Sequence, residues 1–207
     1  MMHVEDWDWD LGNRLVADLT GLESQFQGVH EFAASHDGER IAVPVVKDDP
    51  DTCGVWVNGD LWEGEFEKAW QLKFTPDGRL VALVRVDDEW TVSVDGTAWE
   101  ETFDFVWDLT ISQDGSAIVV KAKQEPRYTI VRNGEPWEQT FLALRDLALS
   151  DDGTKLAATV QVEQLPEADI LKFMEGTWSV AVDGEAWDQK FINVYAPSIS
   201  PDNARVG

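Results

Sequence analysis

The sequence predicts an all-β protein, a β-propeller of four-stranded antiparallel blades, and three observations lead there. A block of roughly 37 to 50 residues recurs along the chain. Within each block apolar residues alternate with period two up to an Asp-Gly or Asn-Gly pair, the strongest short-range hairpin signal, because those pairs accept the positive φ of a tight turn. Nine of the eleven tryptophans fall in fixed registers of the block. Four short strands joined by tight turns make a sheet too small to bury both faces alone, so successive sheets stack as blades.

The chain opens with an acidic leader, residues 1–12, holding Glu5, Asp6, Asp8 and Asp10 around Trp7 and Trp9. These two tryptophans stand outside the repeat and are the candidates for contact with a partner. Residues 13–26 read as the last two strands of a preceding blade, with Leu22 in the register of a loop tryptophan. Full blades follow at 27–66, 67–103, 104–141 and 142–191, the last with an insertion near 163–174. Residues 192–207 supply the start of a further blade, so the expectation is an incomplete propeller, the N-terminal part of a longer one.

Registers justify each boundary. Trp62, Trp99, Trp137 and Trp187 follow the hairpin pairs, at intervals of 37, 38 and 50 residues. The longest interval contains the insertion, as a loop added between strands would produce. Four residues after each of these tryptophans comes Phe66, Phe103, Phe141 or Phe191. Eleven residues after each Phe comes an Asp, in Thr75-Pro76-Asp77-Gly78, Ser112-Gln113-Asp114-Gly115, Ser150-Asp151-Asp152-Gly153 and Ser200-Pro201-Asp202-Asn203, and Phe26 stands at the same distance from Asp37. A short apolar run follows each turn, as at Leu80 to Val84. A strand such as Trp90, Val92, Val94 then leads to Asp95-Gly96, and the segment Trp70, Leu72, Phe74 reads as one more alternating strand. This is the four-stranded blade of WD40-like and TolB-like propellers.

The repeat assigns most tryptophans to packing. A Trp that buries about 150 to 250 Å² contributes up to roughly 4 to 6 kcal/mol, an upper bound because unfolded chains are partly collapsed. One at a fixed position in each blade would bind each sheet to the next.

Forty Asp and Glu against sixteen Lys and Arg leave a formal charge of -24, spread along the chain. Nonspecific nucleic-acid binding depends on clustered cations, so nucleic acid is excluded as an expected partner. No stretch approaches the 18 or so uncharged apolar residues of a membrane-crossing helix, and Met1 to Leu11 lacks the basic and apolar regions of a signal peptide. With Cys53 the only cysteine, an internal disulfide is impossible and a reducing cytoplasm is expected.

No catalytic motif emerges. Asp77, Asp114 and Asp152 precede Gly78, Gly115 and Gly153 in turns, where local hydrogen bonding explains them. Asp6, Asp8, Asp10 and Gly12 imitate a calcium loop, but the Gly is one place late and position twelve would be Ala17. His3, His30 and His36 lack ligand spacing, Cys53 reads as a small core residue, and no catalytic residue, metal site or cofactor site is expected.

The blocks Trp-Thr-Val-Ser-Val-Asp-Gly-Thr-Ala-Trp-Glu (90–100), Phe-Glu-Lys-Ala-Trp-Gln-Leu-Lys-Phe-Thr-Pro-Asp-Gly (66–78) and Ser-Val-Ala-Val-Asp-Gly-Glu-Ala-Trp-Asp (179–188) resemble the tryptophan-rich subunit family TmcD of the transmembrane electron-transfer complex of sulfate-reducing bacteria. The likeness runs through the whole chain, including the Trp-Asp-Trp leader and the insertion near Ala168-Asp169-Ile170. It departs at Arg132, at Arg145 in the register of Trp70 and Trp107, and at Asn203 in place of a turn Gly. The resemblance implies a cytoplasmic subunit held at the membrane by its partners: a membrane cytochrome b, an iron–sulfur protein and a periplasmic multihaem cytochrome c. It would hold no redox centre and serve assembly, or docking on an acidic face. The alternative is a propeller enzyme, or a carbohydrate- or peptide-binding module, with ligands at the central channel. That reading requires non-turn carboxylates converging there with perturbed pKa values.

Overall fold

A computed structural model describes residues 15–165 and 170–207. The chain forms four antiparallel sheets in sequence order, each the blade of a β-propeller. They are divided between a first unit that ends at Thr102 and a second, Phe103–Gly207.

Where the sequence suggests two strands before the first blade, the chain makes a single helical turn, α1 (Leu22–Gln25), entered through Gly21 at φ 87°. Leu22 is buried there against Val43, Val45 and Trp56. The first sheet contains β1 (Gly28–Val29), β2 (Ala33–Ala34), β3 (Ile41–Val46), β4 (Cys53–Val57) and β5 (Asp60–Leu61), with β1 and β2 both pairing with β3. The second runs β6 (Lys68–Phe74), β7 (Leu80–Val86), β8 (Glu89–Val94), β9 (Thr97–Ala98). The third is β10 (Phe105–Ile111), β11 (Ile118–Gln124), β12 (Arg127–Arg132), β13 (Glu135–Pro136). The fourth is β14 (Ala143–Leu149), β15 (Leu156–Gln161), β16 (Trp178–Val182), β17 (Glu185–Ala186), with helix α2 (Ile170–Glu175) between β15 and β16. Ser198 and Gly207 then exchange backbone hydrogen bonds around a turn.

The second strand of each sheet is the apolar run read from the sequence, and it is almost wholly buried: Leu80 to Val84 and Leu156 to Val160 are completely enclosed. The cores lie between consecutive sheets of a unit. Ala42, Val55 and Phe66 pack with Phe74, Leu80, Ala82 and Val84; in the second unit Val119, Ile130, Trp137 and Phe141 pack with Leu156, Ala158, Val160 and Ala181. The loop tryptophan completes this contact. Trp62 lies against Gly96 of the following hairpin and Trp137 against Gly184, where a Cβ would stand only 3.4 Å from the indole. The hairpin glycine therefore provides both the positive φ and the surface on which the preceding blade's indole lies.

The residue before that glycine has a further duty. Asn58, Asp95, Asn133 and Asp183 adopt φ between 48° and 52°. Their Oδ1 atoms accept the N–H of Ile41, Leu80, Ile118 and Leu156 at 2.7, 2.9, 2.8 and 3.0 Å. Each thus ties the hairpin to the start of the buried strand. The serine of the Ser-x-Asp-Gly turn works likewise: Ser35, Ser112 and Ser150 donate to Asp37, Asp114 and Asp152 and accept the N–H of Arg40, Ala117 and Lys155 at 2.9 Å.

Candidate functional site

Strand pairing breaks at the same place in every sheet. One extra residue enters the first strand between Trp70 and Lys73, between Trp107 and Thr110, and between Leu144 and Leu147. In the first sheet the break is between Val29 and Ala33, which face Val45 and Ala42. Such a β-bulge bends its strand and re-aims the side chains beside it. Gln71 and Asp108 occupy left-handed φ of 48° and 61° there. The apparent alternation of Trp70, Leu72 and Phe74 is therefore interrupted: Phe74 is buried, whereas Trp70 and Leu72 are only partly so.

Four residues after each blade's Phe, the bulge carries Trp70, Trp107 or Arg145, and Tyr195 holds the same register after Phe191. Two strands across stand Trp90, Tyr128 and Trp178. Trp70 meets Trp90 edge-on at 6.1 Å between ring centres, and Trp107 meets Tyr128 at 6.1 Å in the same geometry. Phe105 stacks on Trp107 at 5.9 Å. In the fourth sheet Arg145 replaces the aromatic partner, its guanidinium 3.7 Å from the centre of the Trp178 ring. The arginine that departs from the repeat thus keeps the pair as a cation–π contact. It also donates to Asn193 at 2.7 Å, and Asp146 accepts the Ala196 N–H at 3.0 Å. Tyr195, at 73% exposure, continues the row in the second unit.

One buried charge adjoins it. Lys121, only 7% exposed, pairs with the bulge residue Asp108 at 2.6 Å, at a position where the second and fourth sheets place Leu83 and Thr159. A buried ammonium survives only when paired, and Asp108 supplies the partner from the bulge.

The insertion is the second exposed feature. Glu163 binds both Lys172 of α2 and Lys190, and these two ammonium groups hold its carboxyl below the usual glutamate range. Val162 donates to Thr177 at 2.9 Å, closing the strand pair beneath the insertion. Gly176, at φ 86°, donates to Phe173 at 3.1 Å; a Cβ there would fall within 2.2 Å of the Phe191 carbonyl carbon. No residue of α2 is buried, and Ile170, Leu171, Phe173 and Met174 are 74, 79, 47 and 63% exposed.

Trp7 and Trp9 lie outside the described residues. The tryptophans expected to pack between blades divide: Trp62 and Trp137 pack on the next hairpin, whereas Trp70, Trp90, Trp107 and Trp178 pair inside their own sheets. Trp99 is half-buried and Trp187 more exposed. Phe66, Phe103 and Phe141 are buried; Phe66, Phe141 and Phe191 bridge back to Cys53, Tyr128 and Trp178. Asp77, Asp114 and Asp152 accept from their own turns, and Gly78, Gly115 and Gly153 adopt positive φ. The donors Ser150 and Thr154 hold the Asp152 carboxyl far below its usual range, with Asn203 adding a further bond. Burial pushes the Cys53 thiol up.

Sequence reasoning missed one recurring hydroxyl, the residue after the first aromatic of the third strand. Thr91 donates to Glu101 at 2.8 Å, Thr129 to Trp137 at 3.2 Å, and Ser179 to Trp187 at 3.0 Å and Gln189 at 2.8 Å, so each holds the loop that carries the indole. The Trp-Thr, Tyr-Thr and Trp-Ser pairs were the visible signal. Among the described residues no group of three or more His, Cys, Asp or Glu is arranged to hold a metal ion, and no helix is long and apolar enough to cross a membrane.

No protein-family model and no curated protein matches the chain. Solved structures do. TolB from Acinetobacter baumannii is 15% identical over 86% of this chain and 48% of its own, with a TM-score of 0.42. The β-propeller domain of the Trilobed protease from Pyrococcus furiosus is 14% identical over 79% and 55%, with a TM-score of 0.43. Oligogalacturonate lyase from Vibrio parahaemolyticus is 12% identical over 97% and 66%, with a TM-score of 0.46. The chain thus spans about half to two-thirds of the length of these structures. The sheets and their order define the fold, and no residue role passes from these proteins to this one.

Proposed function

We propose that the chain is a non-catalytic β-propeller subunit that docks and holds partners in a membrane-associated electron-transfer complex. The observation that carries this reading is the row of side chains beside the bulges of one unit, with Trp107, Tyr128 and Trp178 half-exposed and Arg145 and Tyr195 exposed. Trp, Tyr and Arg are the residues that dominate binding energy at protein interfaces: the aromatics bury a large area at small entropic cost, and Arg adds stacking and several hydrogen-bond donors. The bulges present them in fixed pairs. The partners are the cytochrome b, iron–sulfur protein and multihaem cytochrome c implied by the repeat wording, with this subunit on the cytoplasmic side and peripheral to the membrane. Its charge of -24 suits a partner with a basic face and adds to the encounter rate.

Isolation of the tagged, intact protein from host membranes in mild detergent tests this directly. Haem and iron–sulfur absorbance should accompany the protein, and Trp107→Ala with Tyr128→Ala should lower both together. A protein recovered free of haem and iron would overturn the proposal.

A further inference from the structure

The insertion in the fourth blade is built in a way that the repeat does not require. An isolated six-residue helix is unstable in water, so α2 persists only because it is fastened. Glu163 holds it through Lys172 and holds the neighbouring loop through Lys190, and Gly176 ends it against the Phe191 backbone. Ordering these residues costs conformational entropy, yet α2 buries none of its own side chains in return. Its apolar residues, Ile170, Leu171, Phe173 and Met174, all face water. A fastened helix with an exposed apolar surface is an interaction element.

We infer that α2 docks into a partner protein that offers an apolar groove rimmed by lysine and arginine, at a surface additional to the bulge row; this rests on reading the chain as a docking subunit. Charge selects the occupant. Lys172 of α2 and Lys190 are both directed onto Glu163, and Glu175, the last residue of the helix, carries an exposed carboxylate. Two copies of a chain carrying -24 repel one another, and an anionic lipid surface repels it equally. A basic rim around an apolar groove gains from both features of the patch.

The test places a photo-crosslinking residue at Leu171 of the full chain in its host and identifies the crosslinked peptide by mass spectrometry. The crosslink should map to an apolar groove beside Lys and Arg on one protein. Its yield should fall at least tenfold in Ile170→Asp with Phe173→Asp, fall as salt is raised, and remain unchanged in Leu15→Asp, which alters an exposed leucine elsewhere. Far-UV circular dichroism and the urea midpoint establish that the double variant is folded. Crosslinks between two copies, crosslinks to lipid, no crosslink, or an undiminished yield in the double variant would each overturn the inference. If redox subunits co-purify but Leu171 captures nothing, the helix assignment fails alone. If Leu171 captures a basic groove on a protein without haem or iron–sulfur centres, the electron-transfer reading fails alone.

Discussion

In the second sheet β7 turns into β8 through Asp87 and Asp88, both in left-handed conformation. In the fourth sheet the equivalent strands, β15 and β16, are separated by residues 162–177 and the helix α2, yet they pair from Gln161 and Trp178 onward in the same frame. Lengthening a closed loop costs only about 0.6 kcal/mol for each doubling, so a blade tolerates such an insertion where its strand ladder is already closed. Here the Val162 to Thr177 bond closes it. A second difference lies at the bulge, where Trp70 on Trp90 becomes Arg145 on Trp178. The comparison separates two kinds of residue: those enclosed between sheets build the blade, and those left exposed, beside the bulges and on α2, are available for partners.

The largest expected effect sets the two regions directly against each other. Leu156→Ala, in a fully buried strand, should lower unfolding free energy by about 2 to 5 kcal/mol in urea titrations, because it removes buried methyl groups and leaves a cavity. Leu171→Ala makes the same chemical change on α2 and should stay within about 0.5 kcal/mol. Gly176→Ala comes next. It forces a Cβ into the Phe191 backbone at a positive φ and should cost more than about 1 kcal/mol, measured in the same titration. Ser179→Ala leaves the carbonyls of Trp187 and Gln189 without their donor and should cost about 1 kcal/mol.

Smaller effects sharpen the bulge comparison. Arg145→Ala should cost about 0.5 to 1 kcal/mol by losing the contact with Trp178, whereas Arg145→Trp, which restores the pair of the second sheet, should recover part of that loss. Acid titration reaches the turns. Because the folded-state carboxyl of Asp152 is lowered by Ser150, Thr154 and Asn203, its contribution is complete above the ordinary aspartate range near pH 4. It is lost as pH falls through the lower folded value. Asp152→Asn should therefore flatten the decline in stability below about pH 4, read from urea midpoints across pH.

Much of the lattice was legible from the residues alone. Alternation ending in Asn58-Gly59, Asp95-Gly96, Asn133-Gly134 and Asp183-Gly184 located the hairpins, because few residues tolerate that backbone. The bulges were not legible, since an extra residue in a strand leaves Trp70, Leu72 and Phe74 looking like unbroken alternation. Arg145 read only as a departure from the repeat, because sequence register does not show that a guanidinium stacks on Trp178. The structure brought Trp70, Trp90, Trp107 and Trp178 into within-sheet pairs, where packing between blades was expected of the tryptophans. The turn Asp residues accept from their own turns, with Asp152 also accepting from Asn203, and the serine that binds Asp and the following backbone together became visible only in three dimensions. The apolar character of Ile170 to Met174 was present in the sequence, but whether an insertion buries or exposes such residues depends on the surface it folds against.

Hydrogen exchange of the intact protein, free and within the detergent-solubilised complex, tests most directly the division between turns that hold the blades together and the exposed bulge and insertion residues available for partners. Amides of 170–176 and 143–147 should exchange more slowly in the complex, while the Ser-x-Asp-Gly turns at 150–153 and 112–115 remain unchanged. Equal exchange of α2 and the bulge in both states, or slowing confined to the recurring turns, would contradict it.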